Sequence, residues 1–201
     1  MRVRTSNISD LTAPASGKWS KRIKLSDGTP VLLRPEVETD LEPLWEMFSS
    51  LSKETLRYLP IPFTRDRIEG WIENINYNTT LPILGIISHD GVERVIASAT
   101  LSFSDISAFI HKAEFGITVH DDYQGMGLGT KLTMYMIDIA HKRGLSKIQL
   151  DVLVENHRAI YLYQKCGFRV GGKREMDHFN YITGKYGDTY IMGLILKQNQ
   201  R

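Results

Sequence analysis

The sequence predicts an α+β fold, one domain in which a mixed sheet is flanked by helices in the order βααβββαβαββ. Three observations carry this. Apolar residues alternate at period two in several short runs and shift to a 3.6-residue period in others, which separates strands from helices. His89-Asp90-Gly91 is a hairpin turn signal between two β-rich runs. Between Glu114 and Gly144 a strand, a glycine loop and a helix follow one another directly. With 201 residues, 42% of them hydrophobic, the chain suits one domain with a sizeable core.

In chain order, residues 1–21 mix Ser, Thr, Asn, Pro and Gly with little periodicity and are expected to form a flexible N-terminal extension. The folded domain is then 22–201. Asp27-Gly28 marks a turn, and Val31-Leu-Leu-Arg34 a short first strand. Thr39-Asp-Leu-Glu42 has capping-box spacing and opens a helix with Leu41, Leu44, Trp45 and Phe48 inward. A short helical turn follows Ser52. Thr64 caps the next helix, on which Ile68, Trp71, Ile72 and Ile75 share a face. Both tryptophans are expected in the core. Glu36, Glu38, Asp40, Glu42, Glu46 and Glu54 make this region acidic, as a solvated helix face would be.

Strands are expected at Leu84–Ser88, Arg94–Phe103, Lys112–Val119 and Lys147–Val154. Leu128, Leu132, Tyr135, Met136 and Ile139 line one face of the helix that ends at Gly144, and His157–Cys166 is the helix that ends at Gly167. Two last strands flank Gly184, the final one over Tyr190–Leu196.

The loop Gln124-Gly-Met-Gly-Leu-Gly129 points to anion binding. The first turn of a helix leaves N–H groups without intrahelical acceptors, and its peptide dipoles add partial positive charge. Glycines let phosphate oxygens approach those donors. A P-loop would need Gly-Lys-Ser/Thr, and Gly129-Thr130-Lys131 has the wrong order. A dinucleotide fingerprint starting at Gly125 finds Thr130 where its third glycine belongs, although Asp151 stands near the end of the next strand.

A second motif decides between these. Gln124 to Gly129 fits the acetyl-CoA loop pattern Gln/Arg-x-x-Gly-x-Gly/Ala of the GNAT N-acetyltransferases at every specified position. One strand later, Asn156-His-Arg-Ala-Ile-Tyr-Leu-Tyr-Gln-Lys-Cys-Gly-Phe168 resembles the GNAT block Asn-x-x-Ala-hydrophobic-x-hydrophobic-Tyr-x-x-x-Gly-Phe along its whole length. The resemblance spans about Val31 to Leu196 and is specific from Glu114 to Phe168. It implies the GNAT sheet, mixed and mainly antiparallel, and an acetyl-CoA-dependent N-acetyltransferase acting by direct attack of an amine on the thioester.

The same resemblance implies site residues. Gln124, Gly125, Met126, Gly127, Leu128, Gly129 and Thr130 would hold the pyrophosphate, and Ile117, Thr118 and Val119 the pantetheine arm, where neighbouring strands splay. Asn156 would contact the thioester end or cap its own helix, and Arg158 would reach a phosphate. An alkyl amine titrates near about 10.4, so the reaction needs a proton acceptor on the amine side and a donor for the departing thiolate. The family places that donor at Tyr163, a phenol that helps strongly only where its surroundings lower its pKa. Glu114, slightly favoured, or Asp151 is the candidate base. Tyr161 lies outside the family position.

The acceptor is less constrained. Phe168–Met176 and Gly184–Met192 look like the subgroup of polyamine, amino-acid and ribosomal-protein N-acetyltransferases, whereas Leu33-Arg-Pro and Leu51–Arg57 resemble protein-lysine acetyltransferase domains. A small cationic amine or amino acid stands slightly ahead of a protein lysine or N-terminus, with a non-catalytic CoA-binding module as a third reading. In the family the first two helices border the acceptor site, so their acidic residues would attract a cation. A homodimer is among the assemblies the resemblance implies.

Composition sets the remaining expectations. A net charge of +2 argues against a nucleic-acid coat. One cysteine forms no internal disulfide, and no run approaches the roughly 20 apolar residues of a membrane span. With no signal-peptide core after Met1, a cytoplasmic protein without a membrane partner is expected. No metal is expected either: His120-Asp121-Asp122 reads as a loop turn and Cys166 as a packing residue.

Overall fold

The computed structural model describes residues 18–196. Its strands are β1 (Lys21–Lys24), β2 (Pro30–Pro35), β3 (Thr80–His89), β4 (Val92–Phe103), β5 (Lys112–Val119), β6 (Lys147–Leu153), β7 (Arg169–Asn180) and β8 (Lys185–Ile195). Its helices are α1 (Leu41–Ser49), α2 (Lys53–Leu56), α3 (Arg65–Glu73), α4 (Leu128–Lys142) and α5 (His157–Lys165). The strands form one sheet in the order β1-β2-β3-β4-β5-β6-β8-β7. Only β5 and β6 pair in parallel.

The expected order is present with additions. β1 was not expected, because in Lys-Arg-Ile-Lys only Ile23 turns toward the core, and the strand is held by its ladder to β2. The flexible extension expected over residues 1–21 lies, up to residue 17, outside the described residues; Trp19 packs against the core. α2 is the turn expected after Ser52, whose Oγ accepts from the Thr55 N–H. The capping box expected at Thr39 is replaced by another cap. Asp40 accepts the Val37 N–H at 2.8 Å and takes both Arg34 guanidinium nitrogens at 2.7 Å, so the carboxylate is drawn beneath α1. The last strand is also longer than Tyr190–Leu196, since Lys185–Thr189 pairs with β7 without apolar alternation.

Two cores cover the two faces of the sheet. On one, α4 and α5 bury Leu128, Leu132, Met136, Ile139 and Tyr163 against Ile83, Ala99, Leu101, Phe115, Ile148 and Met192. On the other, α1 and α3 bury Leu44, Met47, Phe48, Ile68 and Ile72 against Leu84, Ile86 and Val95. Each such side chain taken from water contributes about 1.5–3 kcal/mol. The β3–β4 hairpin turns through Asp90 and Gly91, both at positive φ as a two-residue loop of this hand requires.

Past the hydrophobic patch under α1 and α3, the sheet face becomes polar. Strand alternation puts Ala99, Leu101 and Phe115 in the α4 core, so Ser98, Thr100, Ser102, Glu114, Gly116 and Thr118 point the other way. Register aligns them in rows: Thr80 with Ser102, Glu114 and Gln149, then Pro82 with Thr100 and Gly116. After Glu114↔Gln149 no further pair joins β5 to β6, and the two strands separate.

Candidate active site

The separation of β5 and β6 opens a cleft of about 1510 Å³ that passes from one face of the sheet to the other. On the α4 side it is bordered by Gln124, Gly125, Gly127, Gly129, Thr130 and α5; on the other by α1, α3 and the polar rows. The β5 backbone beyond Glu114 is hydrogen-bonded to β4 on one side and faces the gap on the other.

α4 begins at an uncapped end. Gly127 is its N-cap residue, at φ +82°, and no side chain caps the helix. The first intrahelical bond is donated by the Lys131 N–H to the Gly127 carbonyl, so the N–H groups of Leu128, Gly129 and Thr130 precede it. A Cβ on Gly127 would meet nothing within 4 Å, so this glycine serves backbone conformation and access. Gly129 serves packing: its Cβ would lie 2.8 Å from Leu162 Cδ1, where α4 and α5 touch. Met126 is tucked against the core, and its carbonyl accepts the Ser26 N–H at 3.1 Å.

Gln124 does more than occupy a loop position. Its Nε2 donates to the Val119 carbonyl at 2.9 Å and to Thr55 Oγ1 at 3.0 Å, while its Oε1 accepts from Arg158 Nη1 at 2.6 Å. One side chain thus fixes the end of β5, α2 and α5 around the loop. Asp121 completes the brace, accepting from Ser52 N–H, Ser52 Oγ and Thr55 Oγ1 at 2.8, 2.7 and 2.6 Å. Partial burial alone would raise its pKa, but these bonds outweigh it and hold the carboxyl below its usual range. Sequence reasoning missed Ser52, Thr55 and Asp121 as loop supports; the i, i+3 Ser/Thr spacing was the available signal.

Asn156 does cap its helix, accepting the Ala159 N–H on Oδ1 at 3.1 Å, and it lines the cleft. Tyr163 is 8% exposed and wedged between Phe115 and Phe168, with ring centroids 6.2 and 5.8 Å away. Its ring lies in the α4 core and the residue borders the cleft. Burial, with Cys166 adding to it, pushes its phenol well above the ordinary range. The structure therefore reverses the condition placed on a strong acid: Tyr163 is held protonated.

Glu114 stands on the opposite face, with Oε1 accepting from Gln149 Nε2 at 3.2 Å. Asp151 is also in the cleft wall but is ion-paired with Arg174, which also reaches Asp177 at 3.0 Å. Ile117, Thr118 and Val119 lie along the opened strand. His120 closes a short turn, its Nδ1 accepting the Asp122 N–H. Cys166 is buried beside Tyr163, its thiol pushed up mainly by burial. Among the described residues, no three His, Cys, Asp or Glu side chains are grouped to hold a metal, and no helix is long and apolar enough to cross a membrane.

Two expectations are corrected. Trp45 packs against the α1–α3 core, but Trp71 is 41% exposed, edge-on to Phe63, and borders the cleft. The acidic region is not uniformly solvated. Asp40 is 3% exposed in its bidentate pair, and Glu36 is 5% exposed against the cleft. Desolvation first, then Asp40, raise the Glu36 pKa to about 7, against a smaller lowering by Arg34.

The model of the acetyltransferase (GNAT) family matches residues 44–168. Among curated proteins, the spermidine N(1)-acetyltransferase of Escherichia coli K12 is 35% identical over 95 residues, 47% of this chain and 50% of that one. The [ribosomal protein bS18]-alanine N-acetyltransferase of the same strain is 44% identical over 82 residues, 40% of this chain and 53% of that one. The matches thus span about half the length of these relatives. Among solved structures, Vibrio cholerae spermidine N-acetyltransferase in complex with CoA and spermine superposes with a TM-score of 0.70 at 24% identity, covering 84% of this chain and 96% of that one. The GNAT domain of S. lividans PAT gives 0.70 at 19%, covering 89% and 97%. At these identities the structural likeness concerns the fold.

Proposed function

Because this chain belongs to the acetyltransferase (GNAT) family, with residues 44–168 matching its model, we propose that it transfers an acetyl group from acetyl-CoA to a primary amine. The observation that carries the reading is the uncapped N-terminus of α4 opening beside the separated strands, with Tyr163 and Glu114 on opposite faces of the gap. The fit to the coenzyme is local. The N–H groups of Leu128, Gly129 and Thr130 suit a diphosphate, and Gly125 and Gly127 place no Cβ over it. The open edge of β5 at Ile117–Val119 suits an amide-bearing arm. Arg158, already beside Gly125, supplies a positive charge near the loop.

The bound coenzyme supplies an acetyl group activated as a thioester; the chain supplies position and proton management. The acceptor nitrogen attacks the acetyl carbon, the carbon–sulfur bond breaks, one amine proton is lost and the sulfur is stabilised or protonated. At pH 7.5 only about one part in 10³ of a free alkyl amine is neutral. Glu114 takes up the amine's proton, directly or through water; Asp151 is the weaker candidate because Arg174 already neutralises it. Tyr163 donates to the departing sulfur. With its pKa raised, full transfer to a thiolate near about 8.5 is uphill, so its main contribution is a buried hydrogen bond to developing negative charge.

A small cationic amine is the acceptor favoured. Seven carboxylates line the cleft, against Arg158 and Lys165. Several are paired, but Glu36 and Glu114 meet no cation within salt-bridge distance among the described residues. A protein amine is the second reading, motivated by the ribosomal-protein relative at 44% identity. Incubating the purified protein with acetyl-CoA and a panel of amines, amino acids and peptides, while following free thiol, tests this. Thiol release with small amines supports the first reading; release with peptides alone supports the second. Tight CoA binding without turnover on any acceptor leaves a binding module and refutes acetyl transfer.

A further inference from the structure

The buried carboxylate of Glu36 is used by nothing described so far. Its backbone is fully satisfied: the N–H donates to the Pro82 carbonyl at 3.2 Å, and the carbonyl accepts from the Tyr77 hydroxyl at 2.7 Å. Its side chain, by contrast, takes no hydrogen bond or ion pair among the described residues, although it is 5% exposed. The nearest cation does not serve it, because Arg34 is engaged bidentately by Asp40 and reaches out to Glu93. A carboxylate almost wholly buried at a cleft wall and without a counter-ion is a standing cost to the fold. That cost is relieved when a cation arrives.

The sheet register shows the route. Glu36 follows β2 in the row of Pro82, Thr100 and Gly116, which ends where β5 parts from β6. These floor residues are small; even a Cβ on Gly116 would sit 3.3 Å from Thr100 Oγ1. Leu44, Phe48 and Ile75 roof the same cleft. Three interstrand spacings separate Glu36 from the gap, about 14 Å at about 4.8 Å each. The result is a trench with a polar, uncharged floor and an apolar roof, with the reacting end at the gap and the Glu36 carboxylate at its far end.

We propose that Glu36 is a specificity residue that binds a second, distal ammonium group of the acceptor, so that the preferred substrates are elongated dications rather than monoamines. This rests on the acetyl-transfer reading and adds to it the chemical class and the residue that selects it. The charged and titratable groups facing Glu36 are Arg34 from β2, Asp40 and Glu38 from the turn before α1, and the Tyr77 phenol from the loop after α3. Its raised pKa agrees with an acid awaiting a counter-ion.

The test compares kcat/KM for n-alkylamines and α,ω-diaminoalkanes of matched chain length in the wild type and Glu36→Gln, with CoA affinity measured in parallel by calorimetry. The wild type is expected to favour diamines of one length range over matched monoamines by at least tenfold. In Glu36→Gln that ratio is expected to fall toward one, mainly through KM, with CoA affinity retained. Thr100→Leu, which obstructs the floor without removing the charge, is expected to lower the same ratio and serves if Glu36→Gln does not fold. Monoamines and diamines used equally well by the wild type, or a preference that survives both variants, overturns the assignment while acetyl transfer stands. No thiol release with any amine despite CoA binding overturns both.

Discussion

Replacing Glu36 by Gln should stabilise the protein progressively as pH rises from about 4.5 to 7, and fully above that. Glu36 is raised from 4.5 to about 7 by burial and by Asp40. A carboxyl whose folded pKa lies above its unfolded value adds stability below the unfolded pKa and loses it as pH rises through the folded one. The window is therefore about pH 4.5 to 7, and the shift corresponds to about 3 kcal/mol. Glu36 is almost wholly buried, so little of this is screened. Glutamine keeps the shape without the charge. For a chain of 201 residues, about 2–4 °C in Tm per kcal/mol gives a gain of about 6–12 °C at pH 8.5. At pH 4.5 the gain should vanish, apart from a constant offset for burying the amide. Thermal unfolding of both proteins by circular dichroism across pH 4.5–8.5 measures the slope, which that offset does not touch. A Tm difference that stays flat with pH, or wild type becoming relatively more stable toward pH 8.5, refutes the account of Glu36 as an unneutralised buried acid.

Three further outcomes are expected. Tyr163→Phe should lower kcat by roughly 10²–10³-fold with little change in acetyl-CoA affinity; unchanged turnover would remove the phenol from the reaction. Gln124→Ala removes three hydrogen bonds that join β5, α2 and α5, each worth about 1 kcal/mol. It should raise KM for acetyl-CoA by tenfold or more while Tm falls by up to about 6–12 °C, and an unchanged KM would show that the loop holds itself. Cys166, buried with its thiol pKa raised, should react with a disulfide reagent far more slowly in the native protein than in urea; equal rates would place it at the surface.

What could be read from the sequence follows the range of the interactions involved. The helices α4 and α5 and the hairpin at Asp90-Gly91 are set by local periodicity and turn chemistry, and the structure has them within a residue or so of their expected ends. The loop and Asn156-to-Phe168 motifs were legible for the same reason: their spacing is the spacing of one turn and one helix. β1 was not, because its support is a ladder to β2 rather than an apolar pattern of its own. Glu36 was read with its neighbours as a solvated face, since nothing local distinguishes it from Glu38 or Glu42; only the β2–β3 register and the roof above it bury it. Trp71 illustrates the converse, an apolar residue on the right helical face that meets a cleft instead of a core. The parting of β5 from β6 is likewise a matter of long-range pairing, and the brace from Gln124 to Thr55 and Arg158 joins residues far apart in the chain.

Isothermal calorimetry of the full chain with coenzyme A, and separately with a nicotinamide dinucleotide, addresses the anion-binding end of α4 most directly. One molecule of coenzyme A should bind saturably per chain, with affinity lost in Gln124→Ala and no comparable heat from the dinucleotide. Clear binding of the dinucleotide with none of coenzyme A would contradict the account.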